Sequence, residues 1–272
     1  MKKLFFLFLL YFVYVNTYAQ LASVLPTSIS IANTSVANTE NWSAFTNPAN
    51  IGYVDEISFG FQYENRFLLS ELSTKSLQFA IPTSLINTAL SASYFGFSQY
   101  NEILLGIGFS RNFSDKFSLG LQFNYINAYF KTPNRYYGSF FPQFGLNYSL
   151  SSKFNLGFSV YNPFQSVIKS PFSTKQLPSI FSLGGAYKIS PEFVFLFQAD
   201  KEVSSDYRFA LGAEYNMLQF LTVKGGIYHN GYLVPCFGFK TDLGTLSLDL
   251  NAELHPLLGL VSLASVRYSF KK

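Results

Sequence analysis

Phe117-Ser118-Leu119-Gly120-Leu121-Gln122-Phe123-Asn124-Tyr125 alternates without a break. Phe117, Leu119, Leu121, Phe123 and Tyr125 share one parity; Ser118, Gly120, Gln122 and Asn124 share the other. Successive side chains of a strand point to opposite faces, so a period of two marks a sheet between two unlike environments. The second face identifies those environments. A soluble antiparallel sheet also alternates, but its wet face is expected to carry Lys and Glu. Here the polar face is small and mostly neutral, as in the lumen of a transmembrane barrel whose other face meets lipid.

The pattern repeats along the chain. Ile57, Phe59, Phe61 and Tyr63 oppose Ser58, Gly60, Gln62 and Glu64. Phe154, Leu156, Phe158 and Val160 oppose Asn155, Gly157 and Ser159; Leu246, Leu248 and Leu250 oppose Thr245, Ser247, Asp249 and Asn251. Fourteen segments follow: 56–66, 71–81, 88–97, 102–113, 117–130, 137–149, 154–161, 179–189, 192–202, 206–216, 219–229, 232–241, 244–252 and 259–270. Tight connections such as Ser151-Ser152-Lys153 and Ser190-Pro191 alternate with longer ones at 131–136 and 162–178. Short turns belong on the periplasmic side and longer loops outside. Backbone groups in lipid must pair internally, so the sheet must close on itself. The expected fold is all-β: a transmembrane antiparallel β-barrel of about 14 strands, spanning 56–272.

Composition agrees. Of 272 residues, 49% are hydrophobic and only 12% charged, about half the charge of a soluble domain. No internal apolar run reaches the roughly 20 residues of a helical span. Phe (32) and Tyr (19) dominate the aromatics, favouring strands and membrane–water boundaries. Met1-Lys2-Lys3, the apolar run 4–15 and Thr17-Tyr18-Ala19 read as a signal peptide over 1–19, cleaved near Ala19; the alternative is an uncleaved anchor, for which the apolar run is short. Its removal lowers the formal net charge from +4 to about +2, too little to argue for nucleic acid. Cys236 is the single cysteine, so no internal disulfide forms. Segment 20–55, rich in Ser, Thr, Asn and Ala, lacks clear period-two order. It is expected to be a plug or periplasmic segment, or else a plain tail.

Four short stretches carry a family resemblance. Ile31-Ala32-Asn33-Thr34-Ser35-Val36-Ala37 and Trp42-Ser43-Ala44-Phe45-Thr46-Asn47-Pro48-Ala49-Asn50-Ile51 resemble the start of FadL-like outer-membrane barrels, in which an Asn-Pro-Ala motif precedes strand one. Phe154-Asn155-Leu156-Gly157-Phe158-Ser159-Val160-Tyr161-Asn162-Pro163 and Leu177-Pro178-Ser179-Ile180-Phe181-Ser182-Leu183-Gly184-Gly185-Ala186-Tyr187 are similar to the Bacteroidetes branch, the PorV/PorQ family. The resemblance implies a 14-stranded barrel with an N-terminal plug in a Gram-negative outer membrane. It also implies either an accessory role in type IX secretion or passive transport of small hydrophobic molecules. The loops here are short, and Asn38-Thr39-Glu40-Asn41 stands where the family has a Gly-rich run. The C-terminal strand ends on Phe270, like the insertion signal of such barrels, but Lys271-Lys272 follow it.

Candidate sites are few. His229 and His255 are the only histidines and fall near predicted loops, too few to make a metal site. No phosphate loop or nucleophile elbow is present, so neither enzyme chemistry nor a cofactor is expected. Glu64, Lys188, Arg208, Glu214, Lys224, Lys240 and Asp249 have lumen parity. They form either a polar path or a salt-bridged interior, and their mixed signs favour the latter. Asn47, Pro48 and Ala49 are a turn into strand one or part of the plug. Phe164, Val167, Ile168 and Phe172 of the long loop would line a greasy entry, contact a partner, or dip into the membrane interface. Expected partners are outer-membrane lipid and either secretion-system proteins or a hydrophobic small molecule. The lumen parity holds few apolar residues (Phe95, Phe141, Val194, Leu196), which favours the accessory role over transport.

Overall fold

The alternating segments close into a single antiparallel barrel in the computed structural model, which describes residues 25, 28–39, 42–114, 116–171, 173–229 and 231–270. The signal peptide and Phe172 lie outside the described residues. Strands β1 (Ile57–Arg66), β2 (Leu69–Ile81), β3 (Asn87–Gly96), β4 (Tyr100–Ser114), β5 (Phe117–Phe130), β6 (Arg135–Ser151) and β7 (Phe154–Tyr161) follow one another around the wall. The chain then leaves the wall for a hairpin, β8 (Val167–Lys169) and β9 (Thr174–Gln176). It rejoins beside β7 as β10 (Ile180–Lys188). The wall continues with β11 (Phe193–Glu202), β12 (Tyr207–Leu218), β13 (Leu221–His229), β14 (Leu233–Leu243), β15 (Leu246–His255) and β16 (Gly259–Phe270). β16 pairs with β1 from Ile57↔Phe270 to Arg66↔Val261 and leaves no free edge. The fourteen wall strands occupy the fourteen expected segments; the hairpin was not anticipated.

The barrel has a terminus end, where β1 begins and β16 finishes, and a loop end, which carries the 162–179 connection. In β14, Leu233, Pro235, Phe237 and Phe239 are exposed outside, while Val234, Cys236, Gly238 and Lys240 are buried inside. The same division runs round the wall, with Phe61, Leu105, Phe123, Phe209 and Leu250 on the outer face. An outer surface this apolar is stable only against hydrocarbon, and a closed sheet leaves no backbone group unpaired there. Lys75 is on this face, but beside Tyr63 and 5.8 Å from the Tyr94 ring. That is the arrangement of an aromatic girdle at the membrane boundary.

Strand lengths are uneven. β4, β5 and β6 have 15, 14 and 17 residues; β7 and β10 have 8 and 9. The rim is therefore low at β7–β10, where the hairpin β8–β9 leans in against β6.

Candidate functional site

The lumen holds residues of the N-terminal segment. A 3-10 turn (Ile29–Ile31), the short helix α1 (Ser43–Thr46) and a second 3-10 turn (Pro48–Tyr53) follow an irregular path. Irregular backbone inside a barrel needs donors and acceptors from the wall. Side-chain amides supply most of them. Gln198 Oε1 accepts from Val36 N (3.0 Å) and Gln78 Oε1 from Ala44 N (3.1 Å). Gln143 Nε2 donates to Thr46 O (3.0 Å), and Asn87 Nδ2 reaches the carbonyls of Ile51, Gly52 and Val54. Ser110 and Ser118 hydroxyls both donate to Ala49 O.

The Asn-Pro-Ala motif organises this seat. Asn47 Oδ1 caps the second 3-10 turn by accepting from Ala49 N, and Pro48 occupies its first position, where a missing N–H costs nothing. Asn47 Nδ2 ties Val36 O (2.7 Å) to Leu146 O (3.2 Å) of β6. Asn50 Nδ2 spans the carbonyls of Ser35, Val36 and Asn38, and its Oδ1 accepts from Asn147 (2.7 Å). Asn47, Pro48 and Ala49 are thus fully enclosed. The segment touches the wall backbone closely. A Cβ at Gly120 would stand 2.2 Å from Pro48 C, and one at Gly157 would stand 2.2 Å from Val36 O. Only glycine permits either approach.

On the loop side of this segment the wall divides in two. From β2 round to β10 the lumen face turns apolar. Phe95, Leu104, Ile126, Ala128, Phe141, Tyr161 and Ile180 form a buried cluster with Leu25. Ile168 and Leu177 of the 162–179 connection close over it. Lys175 of β9 pairs with Glu102 of β4 and donates to Tyr100 Oη (2.9 Å), latching the hairpin to the rim. From β11 round to β1 the lumen carries ion pairs. Arg208 meets Asp200 at 2.7 Å and lies 4.5 Å from the Tyr228 ring, while Arg66 meets Glu64 at 2.6 Å. Between the two walls is a cavity of about 170 Å³, lined by Tyr161 and Ile180 on one side and by Asp200, Arg208 and Glu253 on the other. A separate polar vestibule of about 760 Å³ opens at the terminus end beneath Trp42 and Ser43.

Six of the seven charged candidates face the lumen in ion pairs. Besides Glu64 and Arg208, Lys224 is between Asp249 (2.6 Å) and Glu214 (3.9 Å), and Lys240 meets Asp242 at 3.0 Å. Lys188 keeps the lumen parity but is exposed where β10 ends. Two of the pairs, Asp200↔Arg208 and Glu214↔Lys224, are direct cross-strand neighbours, and Lys240 stands across from Asp249 while pairing with Asp242, adjacencies that charge counting alone does not reveal. The loop candidates separate. Phe164 is 74% exposed, Val167 is half-buried, and Ile168, at 2%, points into the apolar cluster. His229 and His255 end β13 and β15, and among the described residues no metal-ligating cluster forms.

One expectation is corrected. The lumen is not poor in apolar residues. Phe95, Phe141 and Leu196 are buried there and Val194 is half-buried, but Leu72, Leu104, Ile126, Phe130, Ile180 and Val261 join them. A lumen with this apolar lining no longer favours an accessory role over transport.

No family model and no curated protein matches the sequence. Solved structures do match in fold. A TodX deltaS2S3 mutant monoaromatic hydrocarbon channel superimposes with TM-score 0.66 at 12% identity, over 90% of this chain and 99% of that one. The Pseudomonas putida toluene transporter TodX gives 0.63 at 11%, covering 89% and 95%. A Pseudomonas aeruginosa FadL homologue gives 0.65 at 10%, covering 90% and 98%. The fold is that of FadL-like outer-membrane barrels.

Proposed function

We propose that this protein is an outer-membrane channel for small hydrophobic molecules, with residues 28–54 acting as its plug and the terminus end facing the periplasm. The observation that carries this reading is the apolar cluster under the long loop, set against a cavity of about 170 Å³. A volume of about 150 Å³ suffices to hold one benzene; the space here is of that size, with Leu25, Tyr161 and Ile180 of the apolar cluster on one side and charged residues on the other. The likeness to a toluene transporter supports the same class of solute. Export by the signal peptide and cleavage near Ala19 would deliver the chain to that membrane.

Membership of the PorV/PorQ branch and an accessory role in type IX secretion form the second reading. Its support is the pair of stretches 154–163 and 177–187. Recovery of secretion components with the native protein under mild detergent would favour it.

Toluene uptake by Gram-negative cells separates the two, because their lipopolysaccharide leaflet retards apolar solutes. Cells bearing the protein are expected to take up labelled toluene faster than vector cells. Phe141→Asn, which places an amide beside Tyr161 in the apolar cluster, is expected to return uptake close to the vector rate while the barrel still migrates as a folded species. Vector-level uptake with the intact protein would contradict the proposal.

A further inference from the structure

We infer that the 162–179 connection is a latched lid with a second seat on the wall, in which residues 163–168 prolong β7 and pair with the open upper edge of β6. Its bearing on solute entry rests on the transport reading. In the structure the hairpin leans inward, and Ile168 and Leu177 take places in the apolar cluster. β6 meanwhile outruns its neighbour: it starts at Arg135, but its pairing with β7 begins only at Gln143↔Tyr161. Successive residues of a strand turn their N–H and C=O groups to opposite sides. Pro142 O accepts from Asn162 N at 3.2 Å, so Pro142, Phe140 and Gly138 all face the β7 side. The N–H and C=O groups of Phe140 and Gly138 have no hydrogen-bond partner among the described residues. An open edge of this kind is a template for a further strand.

The chain that follows β7 fits that edge. Carried past Gln143↔Tyr161, the β6–β7 register sets Phe164 opposite Phe140, Ser166 opposite Gly138 and Ile168 opposite Tyr136. Pro163, which lacks an N–H, would turn away from β6, where proline is tolerated. Phe164, Phe140 and Tyr136 are 74%, 73% and 60% exposed; the second seat would bring them together as cross-strand aromatic neighbours. Its first rung, Asn162 N to Pro142 O, is already made. Three features turn the chain inward instead. Asn162 (φ 49°) and Gln165 (φ 52°) are left-handed. Asn162 clips the root of the hairpin, donating to Leu177 O and Pro178 O and accepting from Ser166 N. Lys175 pairs with Glu102 across the lumen. β8 and β9 stay paired to each other in both seats. In the outward one Ile168 leaves the cluster and opens it at the loop end.

Disulfide trapping in the full chain, with Cys236→Ala as background, tests this. Tyr136 is exposed outside and Ile168 is buried inside, so Y136C and I168C point apart in the inward seat. In the outward seat they stand directly opposite, at a separation that a disulfide spans. Y136C/I168C is expected to bridge under mild oxidation in outer-membrane vesicles; Y136C/L177C, on the arm remote from β6, is not. I168C itself loosens the inward seat, so E102Q, which removes the latch and leaves the lid intact, gives a second reading. It is expected to speed the Y136C/I168C bridge at least about three-fold. Alone, it is expected to slow amide exchange at Phe140 and Gly138 at least about two-fold. Bridging no faster than in Y136C/L177C, or exchange at Phe140 and Gly138 that E102Q does not slow, would overturn the inference. These readings need no solute, so they are independent of the transport proposal, which toluene uptake by the intact protein tests. Where that uptake is seen, bridged protein passing toluene no faster than reduced protein would overturn the lid's role in entry.

Discussion

The two halves of the barrel wall solve different problems with the same alternation. From β2 to β10 the lumen face changes character along each strand. On β5 it reads Ser118, Gly120, Gln122 and Asn124 near the terminus end, then Ile126, Ala128 and Phe130 toward the loop end. The first group seats the irregular backbone of 47–52; the second joins the packed apolar cluster under the long loop. From β11 to β1 the lumen carries charges along its whole length, with opposite charges set directly across from one another, and smaller apolar groups, Val234 with Cys236 and Val261 with Leu263, between them toward the loop end. One half is therefore packed with apolar side chains toward the loop end. The other half uses its polar groups on one another and on the carbonyl of Ala32 in the inserted segment.

Dislodging the inserted segment is the most severe way to break the contrast. Gly157→Leu would drive a side chain into Val36 O, which a bare Cβ already approaches to 2.2 Å. Ion conductance through planar bilayers is expected to rise about ten-fold as the lumen opens toward its full bore. Unchanged conductance would mean that the segment does not obstruct the pore.

The next effect concerns stability. Lys224→Met leaves Glu214 and Asp249 facing each other without their shared cation. Removing one partner of a buried network costs roughly 3 kcal/mol, so the urea midpoint of barrel unfolding is expected to fall clearly. Ile126→Val, in the apolar half, is expected to cost only about 1 kcal/mol in the same titration. If the two losses were equal, the halves would not differ in the way described.

Much of this was legible in the residues, and the misses have physical causes. The strand 117–130 and its neighbours follow from parity, since a one-residue slip would turn Phe117, Leu119, Leu121 and Phe123 into the lumen. The lumen charges follow from the same rule, because a charge at mid-bilayer on the lipid face costs about 2–4 kcal/mol. The apolar cluster under the long loop did not follow. Past Asn124 the chain reads Tyr125-Ile126-Asn127-Ala128-Tyr129-Phe130, where both faces are greasy and alternation no longer tells lumen from lipid. The hairpin β8–β9 has three residues in each strand, too few for a periodic signal. The segment 28–54 has no period at all. Its path is fixed by the amides of Asn47, Asn50, Asn87 and Gln143, and a list of polar residues gives no sign that their partners lie up to 99 positions away.

The most direct measurement is a crystal of the full chain soaked with bromobenzene and measured at the bromine edge. Anomalous density is predicted in the loop-half lumen, within van der Waals contact of Leu25, Tyr161 or Ile180. Bromine found only on the outer face of the barrel, with the lumen peak absent at saturating ligand, would contradict a channel for apolar molecules.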